Sequence, residues 1–84
     1  MNLSFLEDAW EDYLYRLRTD KDILRKINLL IKESMRTPFS GIGKPEPLKF
    51  DMSWSWSRRI TCEHRLVYRI EKDTLVIIQC RYHY

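Results

Sequence analysis

A chain of 84 residues has room for one domain, burying roughly 60% of the surface its unfolded form exposes. Its 44% apolar and 13% aromatic content excludes a disordered tail, and no apolar run has the length of a membrane span. The net charge of +3 is lopsided: residues 1–43 hold seven Lys/Arg against seven Asp/Glu, and residues 44–84 hold eight against five. The basic half contains Arg58, Arg59, Arg65, Arg69, Arg81 and His83, a distribution that points toward nucleic acid more than the total does. No charged-then-apolar export signal is read at the start, and Cys62 and Cys80 lack metal-ligand spacing. Free thiols in a cytoplasmic protein are expected.

Met1 to Phe5 reads as a short first strand. Ser4 and Glu7 offer a capping box for a helix starting near Phe5, with an apolar stripe of Leu6, Trp10, Tyr13, Leu14 and Leu17. Thr19 or Asp20 can cap a second helix whose stripe is Ile23, Leu24, Ile27, Leu30, Ile31 and Ser34 or Met35. The pair makes a helical hairpin. The pattern breaks at Thr37-Pro38, and Pro38, Gly41, Gly43, Pro45 and Pro47 punctuate a loop that is long for so small a domain. Glu46 stands between two prolines that fix φ, a way to aim one carboxylate.

Beyond Leu48 the period becomes two, and Trp54 to Ile60, His64 to Glu71 and Leu75 to Tyr82 read as an antiparallel meander. A two-residue turn at Lys72-Asp73 pairs Ile70 with Leu75 and separates Arg65 from His83. A three-residue loop instead pairs Glu71 with Leu75, Leu66 with Cys80 and Arg65 with Arg81. The second register gathers Leu66, Tyr68, Ile70, Val76, Ile78 and Cys80 on a core face, and is preferred because the buried face sets register. A turn at Thr61-Cys62-Glu63 then puts Arg59 opposite Arg65, with Ser55 and Ser57 alongside and Trp56 in the core against Tyr68. Arg58 fits this scheme poorly, pointing to the core side near a sheet edge where it is expected to be exposed. Trp54 is expected in the core, and His64 as a structural histidine of the turn.

The polar face is thus a strip of Arg59, Arg65 and Arg81 with His83 at one end, approached by a loop bearing Glu46 and Lys49. Aligned like charges repel across a sheet, and an anion such as RNA phosphate would offset that cost. An α-carboxylate on Tyr84 beside the imidazole would bias His83 toward the protonated, proton-donating form. No Walker loop, dinucleotide fingerprint, zinc spacing or serine triad is visible, and Gly41-Ile42-Gly43-Lys44 is too short for a phosphate loop. No metal or other cofactor is expected.

Six segments carry a resemblance to a known family. They are Asp12-Tyr13-Leu14-Tyr15, Arg36-Thr37-Pro38-Phe39, Gly43-Lys44-Pro45-Glu46-Pro47-Leu48-Lys49, Trp56-Ser57-Arg58-Arg59-Ile60, Glu63-His64-Arg65-Leu66-Val67-Tyr68 and Cys80-Arg81-Tyr82-His83-Tyr84. Together they closely resemble the YoeB toxins of the RelE/ParE superfamily. The resemblance implies an α+β fold, with an N-terminal strand and a helical hairpin on a small, mostly antiparallel sheet, formed by residues 1–84 as one domain. It also implies a ribosome-dependent mRNA endonuclease working without metal, in which Glu46 is the general base, His83 the general acid and Arg65 the transition-state stabiliser. Lys49, Arg59 and Tyr84 would contact or orient RNA, with Arg81 adding charge from the paired strand. The implied partners are a YefM-type antitoxin and the ribosome with bound mRNA, with pairing to a second copy of the chain left open. Operator DNA would be met only through the antitoxin, and no membrane. The sequence departs from such toxins at Trp54, where glycine is usual, and at Cys62, where a polar or acidic residue is. A ParE-like toxin that inhibits a topoisomerase by protein contact is the alternative, and it would need neither Glu46 nor His83. A plain RNA-binding module would likewise gain nothing from a loop carboxylate.

Overall fold

The computed structural model describes residues 1–48 and 54–82. Strand β1 (Asn2–Phe5) leads into helices α1 (Glu7–Thr19) and α2 (Lys21–Arg36), followed by strands β2 (Glu46–Pro47), β3 (Trp56–Arg59), β4 (Arg65–Glu71) and β5 (Thr74–Gln79). The five strands form one sheet in the order β1-β5-β4-β3-β2, antiparallel except where β1 runs parallel to β5. This is the α+β architecture expected.

One residue separates the helices. Asp20 ends α1 by donating its N–H to the Arg16 carbonyl, and begins α2 by accepting from the N–H groups of Asp22 and Ile23, each at 3.1 Å. A carboxylate there satisfies two orphan donors and complements the positive end of the helix. Tyr13 Oη donates to Asn28 Oδ1 at 2.6 Å, tying the two helices side by side.

The start of α1 differs from the sequence reading. Ser4 lies within β1, opposite Val76, and Leu6 occupies the N-cap position with no side-chain bond, so the capping box does not form. Pairing with a strand some seventy residues away overrides a local cap. The buried face of α1 is also rotated from the expected stripe: Ala9 and Arg16 are buried, whereas Leu6, Trp10 and Leu17 are exposed. Trp10 instead stacks beside Tyr13, with Phe5 edge-on to both. In α2 the expected stripe holds, with Ile27, Leu30, Ile31 and Ser34 buried.

The β4–β5 hairpin takes the two-residue-turn register over most of its length, against the preferred three-residue loop, whose spacing survives at one pair. The turn is the two-residue Lys72-Asp73, with Lys72 at φ 55°, and it pairs Ile70 with Leu75 and Glu71 with Thr74. A register shift between Val67 and Tyr68 then pairs Val67 with Gln79, the spacing of the three-residue reading. Such a bulge inserts one residue and swaps which side chains face the core. The main core cluster therefore takes Leu75 and Ile77 together with Leu66, Tyr68 and Cys80, while Val76 is buried outside it. Burial pushes the Cys80 thiol up to about 12, so it stays protonated, with Sγ 3.4 Å from the Ala9 carbonyl oxygen.

Arg58 is the largest departure. It is 0% exposed on the helix-facing side of β3, and it organises the loop between α2 and β2. Nε donates to Tyr68 Oη at 3.0 Å, Nη1 to the Ile42 carbonyl at 2.8 Å, and Nη2 to the carbonyls of Thr37 and Ser40 at 2.5 and 2.8 Å. Tyr68 Oη in turn donates to the Pro38 carbonyl at 2.6 Å. A planar fork with five donors matches carbonyls arrayed around it, and a lysine would not.

The same loop closes over Gly43, whose φ is +82° and whose carbonyl accepts the Arg59 N–H at 2.7 Å. A Cβ there would lie 2.8 Å from Leu30 Cδ2 and 3.2 Å from Arg58 Cβ. Gly43→Ala should destabilise the fold by about 1–3 kcal/mol, from left-handed backbone strain plus the clash. Urea unfolding would measure this, and a midpoint matching the parent's would contradict it.

Candidate RNA-facing site

Pleating decides which side chains meet. Glu46 pairs with Ser57, and two residues along β3 Arg59 pairs with Arg65, so Glu46, Ser57, Arg59 and Arg65 share the sheet face turned away from the helices. Pro47 is tolerated in β2 because this is the sheet's edge, where a missing N–H breaks no inner ladder. Leu48 N–H bonds to the Ser55 carbonyl at 2.9 Å, extending the contact that holds Glu46 in place. Glu46 and Arg59 are exposed, whereas Ser55 and Ser57 are buried. Lys49, His83 and Tyr84 lie outside the described residues.

Arg65 is only 8% exposed. Its Nη1 donates to the carbonyls of Thr61 at 2.7 Å and of Cys62 and His64 at 3.2 Å each. The β3–β4 turn thus holds the guanidinium in one orientation, opposite Arg59. Of two arginines paired across the strands, Arg65 is thus the one whose orientation is set before an anion arrives.

Arg81 does not join them. β5 ends at Gln79, and the Arg81 guanidinium lies 3.7 Å above the Tyr15 ring of α1 and 4.5 Å from the Tyr82 ring. The sequence alternation carried β5 straight to Tyr82, but Tyr82 has φ 66° and the chain bends before it. The strip of three arginines is therefore a pair, with the third cation stacked on an aromatic ring. A cleft of about 700 Å³ is lined by Arg81 together with Glu7, Asp8, Glu11 and Asp12, an acidic excess that disfavours phosphate. Burial raises the Asp12 carboxyl above its usual range, opposed chiefly by the Cys80 N–H it accepts.

Trp54, expected in the core, is 87% exposed in the turn before β3, while Trp56 packs against Phe39 with ring centroids 4.9 Å apart. His64 is the residue whose role the sequence understated. Its Nδ1 accepts the Tyr82 N–H at 2.7 Å, bridging the turn to the C-terminal tail. Burial, and next the Arg16 charge, push its imidazole below the ordinary value, which favours the neutral form that such a bond requires.

With this geometry in view, a family model described as the YoeB-like toxin of bacterial type II toxin–antitoxin systems matches residues 5–84. The chain belongs to that family. It is a toxin of a type II toxin–antitoxin system, in a family of mRNA-cleaving endoribonucleases. It is 61% identical to Toxin YoeB of Escherichia coli (strain K12) over 84 residues, covering 100% of each chain. The solved YoeB/ParE toxin from Agrobacterium tumefaciens matches with a TM-score of 0.98 and 53% identity, again over 100% of each chain. The YoeB of a YoeB–YefM complex from Staphylococcus aureus matches with a TM-score of 0.92 and 44% identity, over 100% of this chain and 98% of that one. Among the described residues no helix is long and apolar enough to cross a membrane.

Proposed function

We propose that this toxin cuts mRNA on the ribosome without a metal, through Glu46, His83 and Arg65, within a single domain of residues 1–84. The observation that supports it is the common sheet face that Glu46 shares with the fixed Arg65. Glu46 takes the 2′-hydroxyl proton, and the 2′-oxygen attacks the adjacent phosphorus. Arg65 offsets the charge gathering on the phosphorane oxygens, and His83 protonates the departing 5′-oxygen. The products are a 2′,3′-cyclic phosphate and a 5′-hydroxyl. Arg59, Lys49 and Tyr84 hold the RNA, and Arg81, stacked on Tyr15 beside an acidic cleft, is not assigned to it.

The protein is proposed to act in the cytoplasm and to be silenced by a YefM-type antitoxin, as the Staphylococcus aureus relative is found in complex with YefM. An acidic, partly disordered antitoxin segment would fold onto the arginine pair and exclude RNA.

Primer extension on programmed ribosomes tests the reading. Cleavage should vanish when the nucleotide before the cut carries 2′-deoxyribose, and should stop at saturating antitoxin. A phosphorothioate at the scissile phosphate should slow the reaction, with no rescue by Mn²⁺ or Cd²⁺. Cutting of the deoxy substrate would refute 2′-hydroxyl attack, and thiophilic-metal rescue would refute metal independence.

A further inference from the structure

Tyr82 is a non-glycine residue at φ 66°, a conformation costing about 1–3 kcal/mol that persists only where its surroundings hold it. Three bonds do so. His64 Nδ1 accepts its N–H at 2.7 Å, and its carbonyl accepts from the Arg65 N–H at 3.0 Å and Gln79 Nε2 at 3.2 Å. The clamp is itself braced. The His64 N–H bonds to Thr61 Oγ1 at 3.1 Å, and its carbonyl accepts from the Ile60 and Thr61 N–H groups at 3.0 and 3.2 Å. The Tyr82 carbonyl belongs to the planar peptide that leads into His83. The turn that orients the Arg65 guanidinium therefore also fixes the point from which the tail departs.

We infer that His64 is a positioning residue, whose Nδ1 lone pair holds the Tyr82 backbone and so fixes the point from which the tail that carries His83 departs. The inference rests on the proposed role of His83. Arg16 and Asp12 from α1, Glu63 from the turn and Arg81 from the tail set the field around the imidazole. His64 touches no reacting atom. It couples the turn that orients Arg65 to the backbone from which the tail departs.

The test uses His64→Ala, His64→Gln and His64→Asn in the full chain. The asparagine amide can place its oxygen where Nδ1 lies, whereas the glutamine amide reaches toward Nε2. Single-turnover cleavage of ribosome-bound mRNA at saturating protein should fall about 10–100-fold for Ala and Gln, the scale of a misplaced catalytic group. Asn should recover most of the rate, and the protein concentration giving half-maximal rate should change little. In a His83→Gln background, His64→Ala should add less than about twofold, because the two residues act as one unit. Amide exchange at Tyr82 should lose protection in His64→Ala and keep it in His64→Asn. An Asn variant as slow as Ala, or an Ala effect that multiplies with His83→Gln, would overturn the inference. Protection of Tyr82 surviving His64→Ala would overturn it whatever the cleavage result. Full activity of His83→Gln would instead sink the reading of His83 on which it rests.

Discussion

Glu46→Gln should slow single-turnover cleavage of ribosome-bound mRNA by about 10²–10⁴-fold, the usual worth of a positioned base, while the protein still binds ribosomes. The amide keeps the shape of the carboxylate but cannot take a proton. Glu46 is exposed on an edge strand, so the substitution should leave unfolding midpoints close to the parent's. His83→Gln should produce a loss of the same order by removing the proton donor. The pH dependence separates the two roles. A base works only when deprotonated, so its loss removes the limb in which the rate rises with pH. An acid works only when protonated, so its loss removes the limb in which the rate falls. Wild-type rates for either variant, or the wrong limb lost, would reverse the assignment.

How much of this was legible in the sequence depends on the range of the interaction concerned. Asp20 and the α2 stripe were readable because capping and 3.6-residue periodicity are local. The Arg59–Arg65 pairing was readable too, since a short turn between alternating strands leaves few registers. The capping box at Ser4 was not, because Ser4 is claimed by a parallel strand from the far end of the chain. Nor was the bulge at Val67 and Tyr68, which leaves the preferred register correct at Val67↔Gln79 while the pairs from Tyr68 to Glu71 follow the other. Arg81 was misplaced for the same reason: alternation was extended past the residue where β5 stops. The site was therefore legible where it lies on regular strands and opaque where the chain bends, at His64, Arg81 and Tyr82. For those residues the sequence offers a motif but no geometry.

Arg58 shows the same limit from the side of stability, since a lone basic residue on a core-facing strand position reads as an error. Arg58→Met should destabilise the fold by roughly 3–5 kcal/mol. The thioether fills part of the space but leaves the carbonyls of Thr37, Ser40 and Ile42 and the Tyr68 hydroxyl without their donor. For a domain of this size the melting temperature should fall by on the order of 15–25 °C. Arg58→Lys should recover only part of that, because an ammonium offers a single donor centre where the fork serves four acceptors. Cleavage should fall as well in protein that is still folded, because the loop running from Thr37 to Gly43 leads directly into Glu46. Thermal melts and urea unfolding of both variants give the stability change, and cleavage below the melting transition gives the loop effect. A methionine variant within about 0.5 kcal/mol of the parent, the range of an ordinary surface substitution, would show that the loop needs no guanidinium beneath it.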